Sequence, residues 1–168
     1  MKLYHGSNTE IMQADVSLCR PYKDFGKGFY CTTIFDQAVA MAKRVARIYG
    51  GAPVVTEYEF DDAALTGELS IRAFYKPTMD WAMFIMNNRS RAYTDFANAE
   101  CNHDLKYDIV IGPIANDDLA LLFRTFENGL IPVETLVKEM EYKKLTDQYS
   151  FHTSKALACL TKTGARYV

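Results

Sequence analysis

The chain has 168 residues, the size of one compact domain with a substantial hydrophobic core. Hydrophobic residues make up 49% and charged residues 24%, a balance that excludes a chain disordered along its whole length. Lysine and arginine number 19 against 21 aspartates and glutamates. The resulting net charge of -2 excludes overall basicity as a sign of binding to nucleic acid or anionic membranes.

The apolar stretches are far shorter than the ~20 residues of a membrane-spanning helix, so no integral membrane segment is expected. The N-terminus turns polar too early for a signal peptide, whose apolar region needs roughly 7 residues or more. None of the four cysteines lies in a C-x-x-C pattern, which argues against a zinc knuckle, a redox motif or a disulfide framework. Cys101 and His103 are too few ligands for a metal site. We therefore expect a cytoplasmic protein without a bound metal.

The predicted elements are short strands that alternate with helices. The predicted strands are residues 1–5, 28–33, 53–60, 69–74, 107–115 and 148–153. The predicted helices are residues 35–49, 77–90, about 117–129, 132–144 and 154–160. No repeat, low-complexity run or linker divides the sequence, so residues 1–168 are predicted to form one domain. Because no strict strand–helix–strand rhythm appears, we expect an α+β fold rather than a doubly wound sheet.

Two segments near the N-terminus carry more polar and glycine residues than strands and turns require. In the first, Tyr4-His5-Gly6-Ser7, the glycine would let a ligand approach the backbone beside an imidazole and a hydroxyl. The second, residues 24–33, reads D-F-G-K-G-F-Y-C-T-T. Its two glycines lead into a strand instead of a helix, so they are not a dinucleotide fingerprint. They are either a turn before a core strand or the approach to an exposed tyrosine on which a planar ring stacks.

The third segment is residues 147–153, D-Q-Y-S-F-H-T. The two-residue period of a strand places Gln148, Ser150 and His152 on one side, and Tyr149 and Phe151 on the other. We expect this polar row either to face solvent or to line a cleft.

The end of the second predicted helix adds Asn88 and Arg89. A guanidinium matches phosphate oxygens, so these residues are candidates for binding a pyrophosphate, with a solvated helix end as the alternative. Arg20, Lys23 and Lys27 make the loop after the first strand basic, which would favour a diphosphate or an acidic target.

Together these segments, in this order, resemble the ADP-ribosyltransferase superfamily in its diphtheria-toxin and poly(ADP-ribose)-polymerase-like branch. That branch carries a histidine on the first core strand, a tyrosine after a glycine-rich approach and an acidic residue on a late strand. The matching positions here are His5, Tyr30 and Gln148. The chain is also similar to a small bacterial family catalogued as a domain of unknown function, which shares Y-H-G-S, D-F-G-x-G-F-Y, W-x-x-F-I-x-x-N-R, Y-D-I-V-I-G-P-I-A-N-D and Q-x-S-F-H-T.

The resemblance implies a split β-core of two small sheets with flanking helices, and NAD+ in the cleft between the sheets. It implies that His5 hydrogen-bonds the adenosine-side ribose and that the Gly6 backbone holds the nicotinamide amide. It also implies that Ser7 assists at the nicotinamide ribose and that Tyr30 stacks on the nicotinamide. Further contacts to NAD+ are implied for other motif residues: Asp24, Phe25, Gly26, Gly28, Thr32, Asn88, Arg89 and Ser150.

The implied activity is cleavage of the nicotinamide–ribose bond through an oxocarbenium-like transition state, followed by transfer of ADP-ribose to an acceptor. Because nicotinamide leaves as a neutral ring, orientation by stacking and amide contacts suits this chemistry. The resemblance further implies a mono-ADP-ribosyltransferase toxin restrained by a neighbouring antitoxin. Its acceptor would be a protein, with nucleic acid or a small molecule as the alternatives.

Gln148 departs from the pattern of the branch, which has an acidic residue there. A carboxylate would offset the growing positive charge, nominally by ~4 kcal/mol at ~4 Å and an effective dielectric of ~20, or ~10³ in rate. Three hypotheses stay open: a slow mono-transferase, an enzyme whose target supplies the missing group, and a pseudoenzyme that only binds NAD+. An NAD glycohydrolase is a further alternative. On the sequence alone, Gln148→Glu is expected to raise NAD+ hydrolysis in the absence of a target.

Overall fold

The computed structural model describes residues 1–95, 100–115, 117–141 and 146–168, without the side chains of Asp117 and Glu141. The described strands are β1 (Lys2–Ser7), β2 (Phe29–Cys31), β3 (Val54–Phe60), β4 (Ile71–Ala73), β5 (Ile109–Pro113), β6 (Asp147–Phe151) and β7 (Leu160–Tyr167). The described α-helices are α1 (Phe35–Tyr49), α2 (Met79–Arg89), α3 (Asp117–Glu127), α4 (Val133–Glu141) and α5 (Ser154–Leu157). None of these helices has both the length and the apolar character needed to cross a bilayer.

Every predicted strand and helix is present, with ends that differ by a few residues. The first strand runs on through Ser7, so Tyr4-His5-Gly6-Ser7 lies inside it. The second helix begins after Pro77 because the Thr78 hydroxyl caps it by accepting the Trp81 N–H at 3.3 Å. Of the helix predicted over 132–144, residues 142–144 lie outside the described residues. The strand β7 was not predicted.

The strands form two small sheets. Sheet A has the order β1-β3-β7 and is antiparallel. Sheet B has the order β2-β6-β5-β4, in which only the pair β4–β5 is parallel. This confirms the predicted α+β class and the predicted core of two small sheets with flanking helices.

Three apolar clusters hold the layers together. The cluster between the sheets contains Leu3, Phe29, Tyr58, Phe60, Ile109 and Phe151. A small cluster joins α1 to sheet A through Ala38, Ala42 and Val55. The third covers the other face of sheet B and contains Phe25, Trp81, Phe84, Val110, Leu119, Leu136 and Met140. The sheets are therefore the inner layers and the helices the outer ones, an arrangement that buries both faces of sheet B.

The two sheets meet at one backbone bridge between β1 and β2. The Tyr4 N–H donates to the Thr32 carbonyl at 2.8 Å, and the Thr32 N–H donates to the Tyr4 carbonyl at 3.0 Å. Sheet A and sheet B separate on either side of this bridge. The three segments singled out in the sequence all approach it.

Candidate functional site

The sheets open next to the Tyr4–Thr32 bridge, at a place we call the strand junction, formed by residues 4–7 and 30–32. In an antiparallel pair, the next residues to exchange backbone hydrogen bonds would be Gly6 and Tyr30. Both lie in the described part of the chain, and they do not make this exchange. The Tyr30 carbonyl instead accepts a hydrogen bond from the His5 ring at 2.7 Å. Among the described residues, the N–H and C=O of Gly6 therefore have no backbone hydrogen-bond partner on the Tyr30 side.

The His5 imidazole has one defined protonation state at the strand junction. Its Nδ1 must donate, because the Tyr30 carbonyl oxygen only accepts. Burial lowers the pKa of His5, so the ring is neutral near pH 7 and Nε2 is left as an acceptor. The ring stacks on Phe29 with the centroids 4.3 Å apart, which fixes its plane. Ser7 follows two residues later and lies on the same face of β1.

The Tyr30 ring is half-buried, which lies between the two alternatives that the sequence left open, a core strand and an exposed tyrosine. Phe29 and Tyr30 do point to opposite faces, but each face of sheet B meets its own apolar cluster. The Tyr30 hydroxyl donates to the Gly26 carbonyl at 2.7 Å and accepts the Phe25 N–H at 3.0 Å. Burial and the charge of Asp24 raise the pKa of Tyr30, so the hydroxyl stays protonated and fastens the glycine-rich loop to β2.

Asp24 joins four parts of the chain close to the strand junction. Its Oδ1 accepts hydrogen bonds from Arg89 Nε and Nη2 at 3.0 and 2.7 Å. Its Oδ2 accepts the Ala115 N–H and the Gln148 amide, both at 3.2 Å. The Arg89 guanidinium also donates to the Ala115 carbonyl at 2.9 Å. Asp24 and Arg89, two of the predicted NAD+ contacts, thus form an ion pair with each other. Gln148 contacts this pair through Asp24.

The Gln148 side chain has a fixed orientation. Its Nε2 donates to Asp24 at 3.2 Å and to the Pro113 carbonyl at 3.4 Å, and both partners are pure acceptors. Gln148 Oε1 has no hydrogen-bond partner among the described residues. The atom is not fully buried, so solvent reaches it. The register of β2 on β6 places Gln148 next to Thr32 and on the same face as Tyr30. The polar side chain is therefore one strand away from the strand junction.

The rest of the predicted polar row is buried and bonded inside the protein. Ser150 and His152 are 0% exposed, with the Ser150 hydroxyl 2.7 Å from His152 Nε2 and 3.1 Å from the Val110 carbonyl. His152 Nδ1 donates to the Lys27 carbonyl at 2.8 Å. A Cβ at Gly28 would lie 2.7 Å from the same Nδ1, which explains the glycine. In the structure, Ser150 and Gly28, both predicted to contact NAD+, help to anchor the loop to β6.

Asn88, Gly26 and Phe25 also support the site from within. Asn88 is 0% exposed, its Nδ2 donates to the Phe84 carbonyl at 2.8 Å, and its Oδ1 accepts the Asn102 N–H at 2.8 Å. Gly26 has φ of 91°, a conformation that favours glycine, and lies against Asn88. Phe25 is fully buried in the cluster beneath Tyr30. These side chains hold the loop in place and leave no open group for a ligand.

Asp147 lies beside the strand junction, and the sequence motifs did not predict a role for it. Its Oδ1 accepts the Thr32 hydroxyl at 2.7 Å and the Thr33 N–H at 3.1 Å. Its backbone carbonyl accepts the Gln37 amide at 2.9 Å. The Thr32 side chain, 4% exposed and predicted to contact NAD+, is thus used to tie β2 to β6. The only sequence feature that pointed to Asp147 was an acidic residue directly before Gln148. The hydrogen-bond partners of Asp147 lie more than a hundred positions away in sequence, so the sequence alone could not identify them.

We expect the protein to lose stability between pH 6.5 and pH 4. Burial lowers the pKa of His152 to about 4, so in this window the unfolded state binds a proton that the folded state does not. The difference from the ordinary value of 6.5 corresponds to about 3 kcal/mol of unfolding free energy lost by pH 4. The lowered pKa of His5 adds to the loss in the same window. The lowered pKa of Asp108 acts below this window, because its ordinary value is 3.8.

Urea denaturation at pH 7 and pH 4.5 measures this loss. The His152→Gln variant, which cannot titrate, is expected to be less stable at pH 7 and to show a flatter pH dependence than the wild-type protein. Equal slopes in the two proteins would contradict the assignment of the loss to His152.

The fold and the strand junction define a two-sheet α+β protein whose polar groups gather where the sheets separate. Residues 1–161 match the family described as "Protein of unknown function (DUF3990)", and the chain belongs to this family. No curated protein and no solved structure matches it. The relation to ADP-ribosyltransferases therefore stays a prediction from the motifs.

Proposed function

We propose that this protein is a mono-ADP-ribosyltransferase that uses NAD+ as its substrate. The observation that carries the proposal is the open Gly6–Tyr30 pair at the strand junction. A backbone donor and acceptor are unoccupied there, an aromatic ring lies opposite, and His5 and Gln148 provide acceptors nearby. This combination suits a ligand that has a carboxamide, a planar ring and ribose hydroxyls.

The nicotinamide end of NAD+ matches the Gly6 side of the strand junction. A carboxamide carries a carbonyl oxygen and an NH2 group, which complement the N–H and C=O of one residue on a strand edge. The pyridinium ring would then lie against Tyr30, whose hydroxyl is already fastened to the loop at Gly26. The protein would thus bind the leaving nicotinamide by stacking on its ring and by hydrogen bonds to its carboxamide.

The ribose of NAD+ is recognised by acceptors. His5 Nε2 accepts a hydrogen bond in the neutral ring, and Gln148 Oε1 accepts one in the fixed amide. Ribose hydroxyls are donors: those of the adenosine-side ribose would satisfy His5, and the 2′-hydroxyl of the nicotinamide ribose would satisfy Gln148. An acceptor at the 2′-hydroxyl also opposes the positive charge that grows on the ribose in the transition state, so its contribution is larger there than in the ground state.

In the reaction, the bond between C1′ of the ribose and the pyridinium nitrogen breaks, and its electron pair stays on the nitrogen. Nicotinamide leaves as a neutral molecule, and the ribose carries the positive charge as an oxocarbenium ion. A nucleophilic group of the acceptor then bonds to C1′ and loses its proton to water. No oxidant, reductant or metal ion is required for this balance.

We place this reaction in the cytoplasm, because the cysteines Cys19, Cys31, Cys101 and Cys159 are free and NAD+ is abundant there. We further propose a toxin role with a neighbouring antitoxin as partner and a protein as acceptor. This part of the proposal rests on the resemblance of the motifs alone.

Transfer is tested with NAD+ labelled either in the adenylate phosphate or in the nicotinamide. After incubation with a bacterial lysate, adenylate label is expected in macromolecules and nicotinamide label is not. Protease treatment releases the label if the acceptor is a protein, and nuclease treatment releases it if the acceptor is nucleic acid. His5→Ala is expected to abolish transfer, whereas His103→Ala, which removes a histidine outside the strand junction, is expected to retain it.

Two outcomes would overturn the proposed transfer. Consumption of NAD+ that gives free ADP-ribose and nicotinamide, with no adenylate label attached to an acceptor, would identify a glycohydrolase. Binding of NAD+ that leaves it intact over hours would identify a binding module.

A further inference from the structure

We propose that Asp24 acts on the reaction through Gln148, as the positioning residue that turns the amide oxygen of Gln148 toward the ribose of NAD+. The proposal rests on the function proposed above for the identity of the ligand. It goes beyond that function by assigning Asp24 a role and by explaining why position 148 holds glutamine.

Asp24 is a well-held acceptor. Its side chain is 14% exposed, and Arg89 and the Ala115 N–H occupy both of its oxygens. The remaining acceptor capacity of Oδ2 points at Gln148 Nε2, 3.2 Å away, while the Pro113 carbonyl lies 3.4 Å from the same nitrogen. Because neither partner has a proton to donate, the opposite orientation of the amide would place oxygen against oxygen. The orientation with Oε1 toward solvent is therefore imposed by the surroundings.

The same geometry accounts for glutamine in place of an acidic residue. A carboxylate at position 148 would offer no N–H, so it would face the carboxylate of Asp24 at hydrogen-bond distance. Arg89 neutralises the carboxylate of Asp24, and no second cation of the described site would neutralise a carboxylate at position 148. The expectation from sequence that Gln148→Glu raises NAD+ hydrolysis is therefore revised. The added carboxylate would be repelled by Asp24, so it would not be held in position to stabilise the positive charge on the ribose.

The pH dependence of a carboxylate at position 148 depends on a small set of neighbours. Among the described residues, the titratable groups nearest this position on the loop, α2 and β2 are Asp24, Arg89 and Tyr30, and His152 follows β6 on the same face, two residues beyond Ser150. Tyr30 stays protonated through neutral pH, and the pKa of His152, about 4, keeps its ring neutral above that pH. The carboxylate of Asp147, the preceding residue, is held by the Thr32 hydroxyl and the Thr33 N–H. In the part of the chain that the structure describes, the site therefore contains one ion pair, Asp24–Arg89, and the introduced carboxylate would have no cation left to pair with.

The test compares the wild-type protein with Gln148→Glu, Asp24→Asn and the double variant. The first readout is the melting temperature at pH 4.5 and pH 8, taken as the difference from the wild type at each pH. Repulsion by Asp24 raises the pKa of the introduced carboxyl above the ordinary value of about 4.3, so the penalty is absent in acid and grows as the pH rises. We expect Gln148→Glu to melt about 5 °C below the wild type at pH 8 and close to it at pH 4.5. The double variant keeps one carboxylate and loses this pH dependence.

The second readout is kcat for nicotinamide release. In Asp24→Asn the new amide can donate to Gln148 and turn its oxygen inward, so kcat is expected to fall about 10-fold with KM little changed. In the double variant, the carboxylate introduced at position 148 presents an acceptor in either orientation, and kcat is expected to recover to the wild-type value or above. A double variant as slow as Asp24→Asn would overturn the positioning role, because a merely structural loss is not rescued at position 148.

The two readouts separate this inference from the proposed function. No nicotinamide release by the folded wild-type protein would overturn the proposed function and the action of Asp24 on it. The melting temperatures do not depend on NAD+, and an equal pH dependence in Gln148→Glu and the wild type would overturn the Asp24–Gln148 contact itself.

Discussion

Tyr30→Ala is expected to lower kcat/KM for nicotinamide release about 100-fold. Stacking of an aromatic ring on a base is worth ~1–3 kcal/mol. The hydroxyl also fastens Gly26 and Phe25, and the loss of such hydrogen bonds adds about 1 kcal/mol to the effect. Together these terms amount to about 2–4 kcal/mol, or about 30- to 900-fold in rate. The measurement is a steady-state assay of nicotinamide release at several NAD+ concentrations.

Two matched variants separate the ring from the hydroxyl and from general damage. Tyr30→Phe keeps the ring and loses only the bonds to the loop, so it is expected to retain activity within about 10-fold of the wild type. Tyr167→Ala removes an exposed tyrosine of β7 and is expected to leave release unchanged. If Tyr30→Phe were as inactive as Tyr30→Ala, stacking would not be the role of Tyr30. Each variant is compared only after its melting curve shows a folded protein.

Gly6→Ala is expected to destabilise the protein by about 3 kcal/mol, a melting temperature roughly 10 °C lower. A Cβ at Gly6 would lie well inside van der Waals contact with the Ala38 carbonyl oxygen, and 2.8 Å from the Ala42 nitrogen. Both are backbone atoms of α1, so the helix as a whole must move away from β1. Because α1 and β1 form one packed unit, the displacement also disturbs the strand junction.

Gly164→Ala is the control for this effect. Gly164 lies in β7 of the same sheet, and a Cβ there meets no atom within 4 Å. Its melting temperature is expected to stay within about 2 °C of the wild type. Equal destabilisation by the two substitutions would show that loss of a strand glycine, and not the approach of α1, sets the stability.

The elements that local pattern determines were predicted well. The helix α1 has the predicted bounds, because one apolar face and the glycines after Tyr49 define it. The strand β5 is buried on both faces, as its continuous apolar run indicated. In contrast, β7 was missed because its residues alternate only weakly between apolar and polar. It is an edge strand whose place is decided by pairing with β3, a long-range contact.

The site was predicted in part. The motifs placed His5, Tyr30 and Gln148 in one region, and the structure brings them to the strand junction and the neighbouring strand. The half-buried state of Tyr30 was not predictable, because it depends on helices that cover the second face of sheet B. The contact between Asp24 and Gln148 joins residues 124 positions apart, and no local pattern reports such a pair.

Nicotinamide release from NAD+ by the purified protein, with and without a bacterial lysate, tests the proposed transferase most directly. We predict release by the wild-type protein, an increase when lysate supplies the acceptor, and loss of both in Tyr30→Ala. A folded wild-type protein that binds NAD+ but releases no nicotinamide under either condition would contradict the proposed activity.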